Sequence, residues 1–283
     1  DTRLKFVFAI QFAACMIQQL ILLIQIMMAR NILTADFWMD IMEPIINRNS
    51  WLIFVIFAAI LAGGIGSRMG GTDTPKQFLD LGDKPVIIHT IEKFVINSKI
   101  DKIIVLTPQN FINHTTHLIS EYIGEYENIV VIEGGETRND TLINSINYID
   151  ENFGIDDDSI IITHDSVRPF VTHRIIEDNI EAAKRYGACD TVVPATDTIV
   201  ESINARTIES IPVRDYYYQG QTPQSFNIKK LFNLITSLTE AESNILTDAC
   251  KIFTLKDEDV YLVEGEVTNI KITYPYDLKL ANT

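Results

Sequence analysis

The run Ile53-Phe54-Val55-Ile56-Phe57-Ala58-Ala59-Ile60-Leu61 passes directly into Ala62-Gly63-Gly64-Ile65-Gly66-Ser67-Arg68-Met69-Gly70, and Pro75-Lys76-Gln77-Phe78 follows. An apolar stretch rich in β-branched and aromatic residues, closed by glycines, predicts a buried strand over Ile53–Leu61 that ends in a turn. Glycines there allow φ > 0 and let backbone N–H groups approach an anion, while Arg68 and Lys76 add planar and mobile positive charge. The outline is a loop for phosphate oxygens. It lacks the GK[ST] of a Walker A, and its glycines do not open a helix directly as a dinucleotide fingerprint requires. The glycines alone would suit an ordinary tight turn; the two cations, placed after a buried strand, favour the phosphate loop.

Outward from this stretch, short β-branched runs alternate with longer segments of helical period. Strands are predicted at Lys102–Thr107, Ile129–Glu133, Ser159–Thr163 and Asp190–Pro194, and helices at Pro85–Asn97, Phe111–Tyr126, Thr137–Asp150 and Thr172–Tyr186. This is the pattern of βα units: a Rossmann-like, mostly parallel sheet flanked by helices, in the α/β class. Ligands in such sheets bind beyond the carboxyl ends of the strands, so the residues just after each strand are the first candidates. Around Ala195–Tyr218 the alternation lapses, which predicts a protruding β excursion. A helix near Ile228–Leu238, short strands near Val260–Val263 and Asn269–Thr273, and a terminal helix from Pro275 complete the reading.

The bulk composition sets limits. The 283 residues hold 23 Lys+Arg against 38 Asp+Glu, a net charge of −15 that opposes binding to a nucleic-acid backbone or an anionic membrane surface. With 47% hydrophobic and 22% charged residues the chain is globular in composition. Cys15, Cys189 and Cys250 are far apart and in no metal-ligand spacing, which suits a reduced, cytoplasmic protein without structural zinc.

Residues 1–54 read separately from 55–283. From Phe6 to Met28 the chain is mostly apolar and long enough for a membrane helix, but Gln11, Gln18, Gln19 and Gln25 interrupt it and no small-residue cleavage site follows. Three readings stand: upstream sequence joined in frame to an enzyme whose start is Val55, a membrane anchor, or a helix packed on the enzyme.

Three further blocks carry chemistry. Gly134-Gly135-Glu136-Thr137-Arg138-Asn139-Asp140-Thr141 enters a helix, where its hydroxyl and amide groups could cap the helix or meet a nucleobase. Thr163-His164-Asp165-Ser166-Val167-Arg168-Pro169-Phe170 puts a carboxylate just beyond a hydrophobic strand, where Asp165 is suited to Mg²⁺ with phosphate oxygens and water completing the shell. His164 is read as structural, because an ionised phosphate nucleophile needs no base. Beyond these, Thr198, Arg214, Gln219-Gly220-Gln221-Thr222-Pro223-Gln224, Leu246-Thr247-Asp248-Ala249 and Asn269-Ile270-Lys271-Ile272-Thr273 scatter hydroxyls and cations as recognition of a phosphorylated polyol requires.

Taken together and in this order, the blocks AGGxGxRMG with PKQF, GGxxR, HDxxRP, QTPQ and NIKIT resemble the family of 2-C-methyl-D-erythritol 4-phosphate cytidylyltransferases and the related ribitol-5-phosphate cytidylyltransferases, from about Val55 to the C-terminus. The blocks at 164–170, 219–224 and 245–251 are more similar to the ribitol branch. The resemblance implies that Leu61, Ala62, Gly63, Gly64, Gly135, Arg138 and Thr141 bind CTP and that Arg68, Lys76 and Lys271 are catalytic. It further implies that Asp165 holds Mg²⁺ with Arg168 in support, and that Thr198, Arg214, Thr222 and Thr247 bind the polyol phosphate. A homodimer is implied, in which the excursion at about 195–218 carries Thr198 and Arg214 to the partner's site. Ribitol 5-phosphate and CTP are the expected substrates, with a ribitol-5-phosphate-forming reductase as working partner. The rival of another class is a non-catalytic nucleotide-binding module tethered by its N-terminal segment.

Overall fold

The computed structural model describes residues 55–64, 74–246 and 248–283; residues 1–54, Arg68 and Thr247 lie outside the described residues. The opening apolar run forms strand β1, Ile56–Leu61. Its side chains alternate between two cores, as a strand buried on both faces must. Ile56, Ala58 and Ile60 pack on one side, and Phe57 and Ala59 on the other.

The chain continues through a hairpin of β2 (Asp80–Leu81) and β3 (Lys84–Pro85), then α1 (Val86–Val95), β4 (Lys102–Thr107), α2 (Ile112–Tyr122), β5 (Ile129–Glu133), α3 (Arg138–Phe153), β6 (Ile160–Asp165), α4 (His173–Tyr186) and β7 (Ala188–Pro194). After the excursion come β8 (Tyr218–Asn227), α5 (Ile228–Thr236), α6 (Glu240–Asn244), α7 (Cys250–Leu255), β9 (Tyr261–Glu264) and α8 (Pro275–Ala281). Seven strands make one sheet in the order β5-β4-β1-β6-β8-β7-β9. All its neighbours are parallel except β8, which runs antiparallel to both β6 and β7. Helices α1, α2 and α4 cover one face through residues such as Ile91, Phe94, Leu118 and Ile176, and α3, α5 and α7 cover the other through Leu142, Ile146, Leu231 and Phe253.

Local sequence sets the helix ends. Thr137 caps α3 in a reciprocal box with Asp140, Thr172 caps α4, and Gly187 closes α4 with φ 82°, a left-handed conformation that suits glycine. The sheet leaves β1 for β4 and β5 on one side and returns to β6 on the other. Chain order therefore reverses between β1 and β6, and a crevice opens beyond their carboxyl ends. Leu61 and Asp165 are register partners at that edge.

The predicted strands and helices before residue 195 form, with ends shifted by up to four residues. Three expectations need correction. The ten-residue β8 has no counterpart among the predicted strands, because Gly220, Pro223 and its polar residues give no apolar alternation. Asn269–Thr273 is not a strand: Ile272 N–H bonds Val167 O at 2.9 Å, and no ladder extends from that bond. The excursion has no strand pair either; an isolated bridge between Glu201 and Ser210 and a turn of 3₁₀ helix at Arg214–Tyr216 are its regular features. Among the described residues no helix is long and apolar enough to cross a membrane.

Candidate active site

A cavity of about 260 Å³ opens beyond the carboxyl ends of β1 and β6. Leu61, Gly63, Gly64, Lys76, Gly135, Arg138, Thr141, Asp165 and Lys271 all line it, so most of the expected nucleotide and catalytic residues come from four separate blocks into one place. Ala62 lies behind them: it is buried, its N–H donates to Leu106 O and its carbonyl accepts from Gln77 Nε2. Gln77 was not singled out from sequence. It is 1% exposed, and its 2.8 Å bond ties the PKQF block to the glycine loop.

The second glycine block is shaped by close approach. A Cβ on Gly135 would lie 2.2 Å from Asp140 Cβ, inside the first turn of α3, so only glycine fits there. Gly135 N–H donates to Thr141 Oγ1 at 3.0 Å, and that hydroxyl donates to Thr137 O at 2.8 Å. The turn so fixed aims Arg138, the first residue of α3, across the cavity.

Asp165 is the electrostatic centre. Arg138 Nη1 bonds its Oδ1, while Lys271 Nζ at 2.8 Å and Arg168 Nε at 3.4 Å approach its Oδ2. Burial alone would raise this carboxyl; the three cations, Arg138 foremost, overcome burial and hold it far below the usual carboxylate range. Arg168 is itself buried, donates to Asn269 O at 2.8 Å, and so ties the residue-165 loop to the segment carrying Lys271.

A relay of hydrogen bonds positions Asp165 from behind. Asp165 N–H donates to Thr222 Oγ1 at 3.2 Å, and the Thr222 hydroxyl donates to His164 Nδ1 at 3.0 Å. His164 Nε2–H then donates to Arg168 O at 3.1 Å, since a carbonyl can only accept. The imidazole is fully buried beside Phe94, and burial lowers its pKa to about 4, which keeps it neutral in this arrangement. His164 is thus structural, as expected. Thr222, expected at the polyol phosphate, is 3% exposed and engaged in the relay.

Thr198 and Arg214 do not line the cavity. Both are exposed on the excursion, where Arg214 Nη1 donates to Thr196 O at 3.0 Å. Among the described residues no cluster of three or more His, Cys, Asp or Glu could hold a metal. Asp165 puts a single carboxylate at the cavity, the donor that Mg²⁺ takes together with phosphate oxygens and water, and it becomes free for a metal as Arg138 and Lys271 turn from it to phosphate.

A family model described as "IspD: 2-C-methyl-D-erythritol 4-phosphate cytidylyltransferase" matches residues 56–283. Among similar solved structures, a 4-diphosphocytidyl-2C-methyl-D-erythritol synthase from Anaerococcus prevotii is 27% identical with a TM-score of 0.67, covering 83% of this chain and 98% of its own. The 2-C-methyl-D-erythritol 4-phosphate cytidylyltransferase of Francisella tularensis is 29% identical with a TM-score of 0.66, over 81% of this chain and 98% of its own. The enzyme of that name from Thermus thermophilus is 25% identical with a TM-score of 0.61, over 81% and 97%. With a cation-ringed carboxylate at the switch point of a matching sheet, and a family match over residues 56–283, the chain belongs to the IspD family of cytidylyltransferases.

Proposed function

We propose that this cytidylyltransferase couples CTP to D-ribitol 5-phosphate, giving CDP-ribitol and pyrophosphate for a teichoic-acid type cell-wall polymer. The observation that carries cytidylyl transfer is the convergence of Lys76, Arg138 and Lys271 on the cavity around Asp165. Nucleotidyl transfer asks a protein chiefly to position two phosphates and neutralise charge. The acceptor is carried by the blocks at 164–170, 219–224 and 245–251, which resemble the ribitol branch.

In the reaction an oxygen of the acceptor phosphate attacks the α-phosphorus in line. The bond from that phosphorus to the bridging oxygen breaks, and pyrophosphate leaves with the electron pair. Lys76 and Lys271 flank the α-phosphate, and Arg68 meets the departing β- and γ-phosphates. The glycines at 63, 64 and 135 let backbone groups approach the nucleotide, with Leu61, Thr141 and Arg138 framing it. Asp165 would hold Mg²⁺, which when bound supplies charge neutralisation along the triphosphate. The ion pairs of Arg138 and Lys271 to Asp165 keep both cations aimed at the cavity before nucleotide enters.

Two copies act together in this reading. Val200, Ile203, Ile208, Ile211, Val213 and Tyr216 are exposed apolar residues on the excursion, a concentration that fits burial against a second copy. Thr198 and Arg214 then reach the acceptor phosphate bound by the partner, while Thr222 acts from behind by positioning Asp165. A cytoplasmic location and a reductase that forms ribitol 5-phosphate complete the proposal.

The second reading keeps the chemistry and changes the acceptor to 2-C-methyl-D-erythritol 4-phosphate. The names of the matched family and structures favour it. The test is turnover: CTP-dependent pyrophosphate release that requires ribitol 5-phosphate supports the proposal, and release only with the methyl-branched acceptor replaces it.

A further inference from the structure

We propose that Asp190, backed by Gln224, binds hydroxyl groups of the acceptor's carbon chain at the end remote from its phosphate. The inference rests on the reading of the acceptor as a polyol phosphate and adds the residues that recognise its chain.

Asp190 on β7 is the register partner of Gln224 on β8, and Gln224 is the partner of Thr163 on β6. The three form a row across the sheet. Because side chains alternate, this row lies on the same face as Asp165, two residues beyond Thr163. Asp190 is therefore displaced sideways from Thr163 by two strand spacings, roughly 10 Å. An acceptor whose phosphate lies against the nucleotide's α-phosphate beside Lys271 would extend its chain toward this row.

The two side chains offer acceptors for hydroxyl donors. Gln224 Nε2 donates to Asp190 Oδ1 at 3.0 Å, which leaves Asp190 Oδ2 beside Gly220. A Cβ at that glycine would lie 3.6 Å from Oδ2, in contact with it, so glycine leaves this oxygen uncovered on that side. Gln224 itself is 3% exposed, yet its Oε1 has no hydrogen-bond partner among the described residues. A buried acceptor left unmatched is unfavourable, and a hydroxyl, able to donate to one group while accepting from another, resolves it.

Charge sets the orientation. Burial pushes Asp190 up to about 6, with Asp248 adding to the rise and the Gln224 bond and Arg138 opposing it. The Asp190 and Asp248 side repels a phosphate, while the Lys76, Arg138 and Lys271 side attracts it. An acceptor is thereby sorted phosphate end from hydroxyl end. The methyl-branched acceptor has a shorter carbon chain than ribitol and one hydroxyl fewer, so it reaches less far along this row and leaves an acceptor unmatched, a basis for discrimination against it.

The experiment uses the full chain with Asp190→Val and Asp190→Asn, assayed on ribitol 5-phosphate and on glycerol 3-phosphate, a shorter polyol phosphate without the distal hydroxyls. The expected result for Asp190→Val is a rise in KM for ribitol 5-phosphate of about 10- to 100-fold, with kcat and the KM for CTP within about threefold, and partial recovery in Asp190→Asn. The preference for ribitol over glycerol phosphate should shrink by the same factor. An unchanged KM for ribitol 5-phosphate in a wild type that turns it over sinks the inference alone, as does a parallel rise in the KM for CTP. A wild type inactive on ribitol 5-phosphate removes the underlying reading and the inference with it.

Discussion

Lys271 Nζ stands 2.8 Å from Asp165 Oδ2, although one residue lies in the final loop of the chain and the other ends the fourth strand of the βα series. The contact depends on Ile272, whose N–H bonds Val167 O at 2.9 Å and whose buried side chain packs with Leu81, Val86 and Val167. The irregular segment is pinned at one point, and that point sets the cation over the carboxylate.

Removing either lysine should weaken the transition state without harming the fold. Lys271→Ala and Lys76→Ala are expected to lower kcat by about 10²- to 10³-fold. Lys271 is 36% exposed and Arg138 and Arg168 still hold the buried Asp165 carboxylate when it is removed, so the loss of stability should be small beside the loss of turnover. Steady-state kinetics with thermal unfolding on the same samples checks this, and near-normal turnover would contradict it.

The relay behind Asp165 predicts a different signature. Thr222→Val keeps the shape but leaves the Asp165 N–H and His164 Nδ1 without a partner in a buried site, a loss of roughly 2 kcal/mol in stability. Turnover should fall together with stability, and Thr222→Ser should restore both. Chemical denaturation beside kinetics reads the two quantities.

A composite dimer has a specific consequence. Arg214→Ala and Lys271→Ala, each nearly inactive alone, should complement when mixed and allowed to exchange subunits. Half the dimers would then carry one site with both residues intact, giving about a quarter of wild-type turnover. A mixture no more active than its components would show that each site is built from one chain.

Asp190 links stability to pH. Its folded pKa of about 6 lies above its ordinary value of 3.8, so between these limits the folded state binds more protons than the unfolded one. Stability from this group is present in full below about pH 4 and falls as pH rises through about 6, by about 2–3 kcal/mol at most. Asp190→Asn should remove that fall, measured by denaturation at pH 4 to 7. The opposite slope comes from Asp165, whose depressed pKa makes its ion pairs persist until the medium is strongly acidic.

Where apolar periodicity and burial agree, the fold was legible. Strands β1, β4 and β6 are apolar runs buried between two helix layers, β5 is a half-buried β-branched run at the sheet edge, and Thr137, Thr172 and Gly187 mark helix ends by chemistry that local sequence states directly. Strand β8 was not legible because its polar residues are satisfied sideways: Gln221 donates to Glu266 O, Thr222 to His164, and Gln224 to Asp190. Such partners lie far off in sequence and leave no period. In the site, the glycine blocks, Lys76 and Asp165 could be marked from residue type and position after strands, whereas Lys271 was marked only by the resemblance of its block. The ring of cations around Asp165 could not, since it depends on how three loops fold back. Gln77 carried a faint signal as a polar residue inside PKQF, and Asp190 as a charge at an inward position of a predicted strand.

The acceptor is the central claim, and the most direct measurement is kcat/KM for ribitol 5-phosphate and for 2-C-methyl-D-erythritol 4-phosphate, side by side, with CTP at saturation and pyrophosphate as the readout. The account predicts a preference for ribitol 5-phosphate of about 100-fold, the factor that a penalty of roughly 2–3 kcal/mol for one unmatched buried acceptor gives. Equal rates, or a preference for the methyl-branched acceptor, would contradict it.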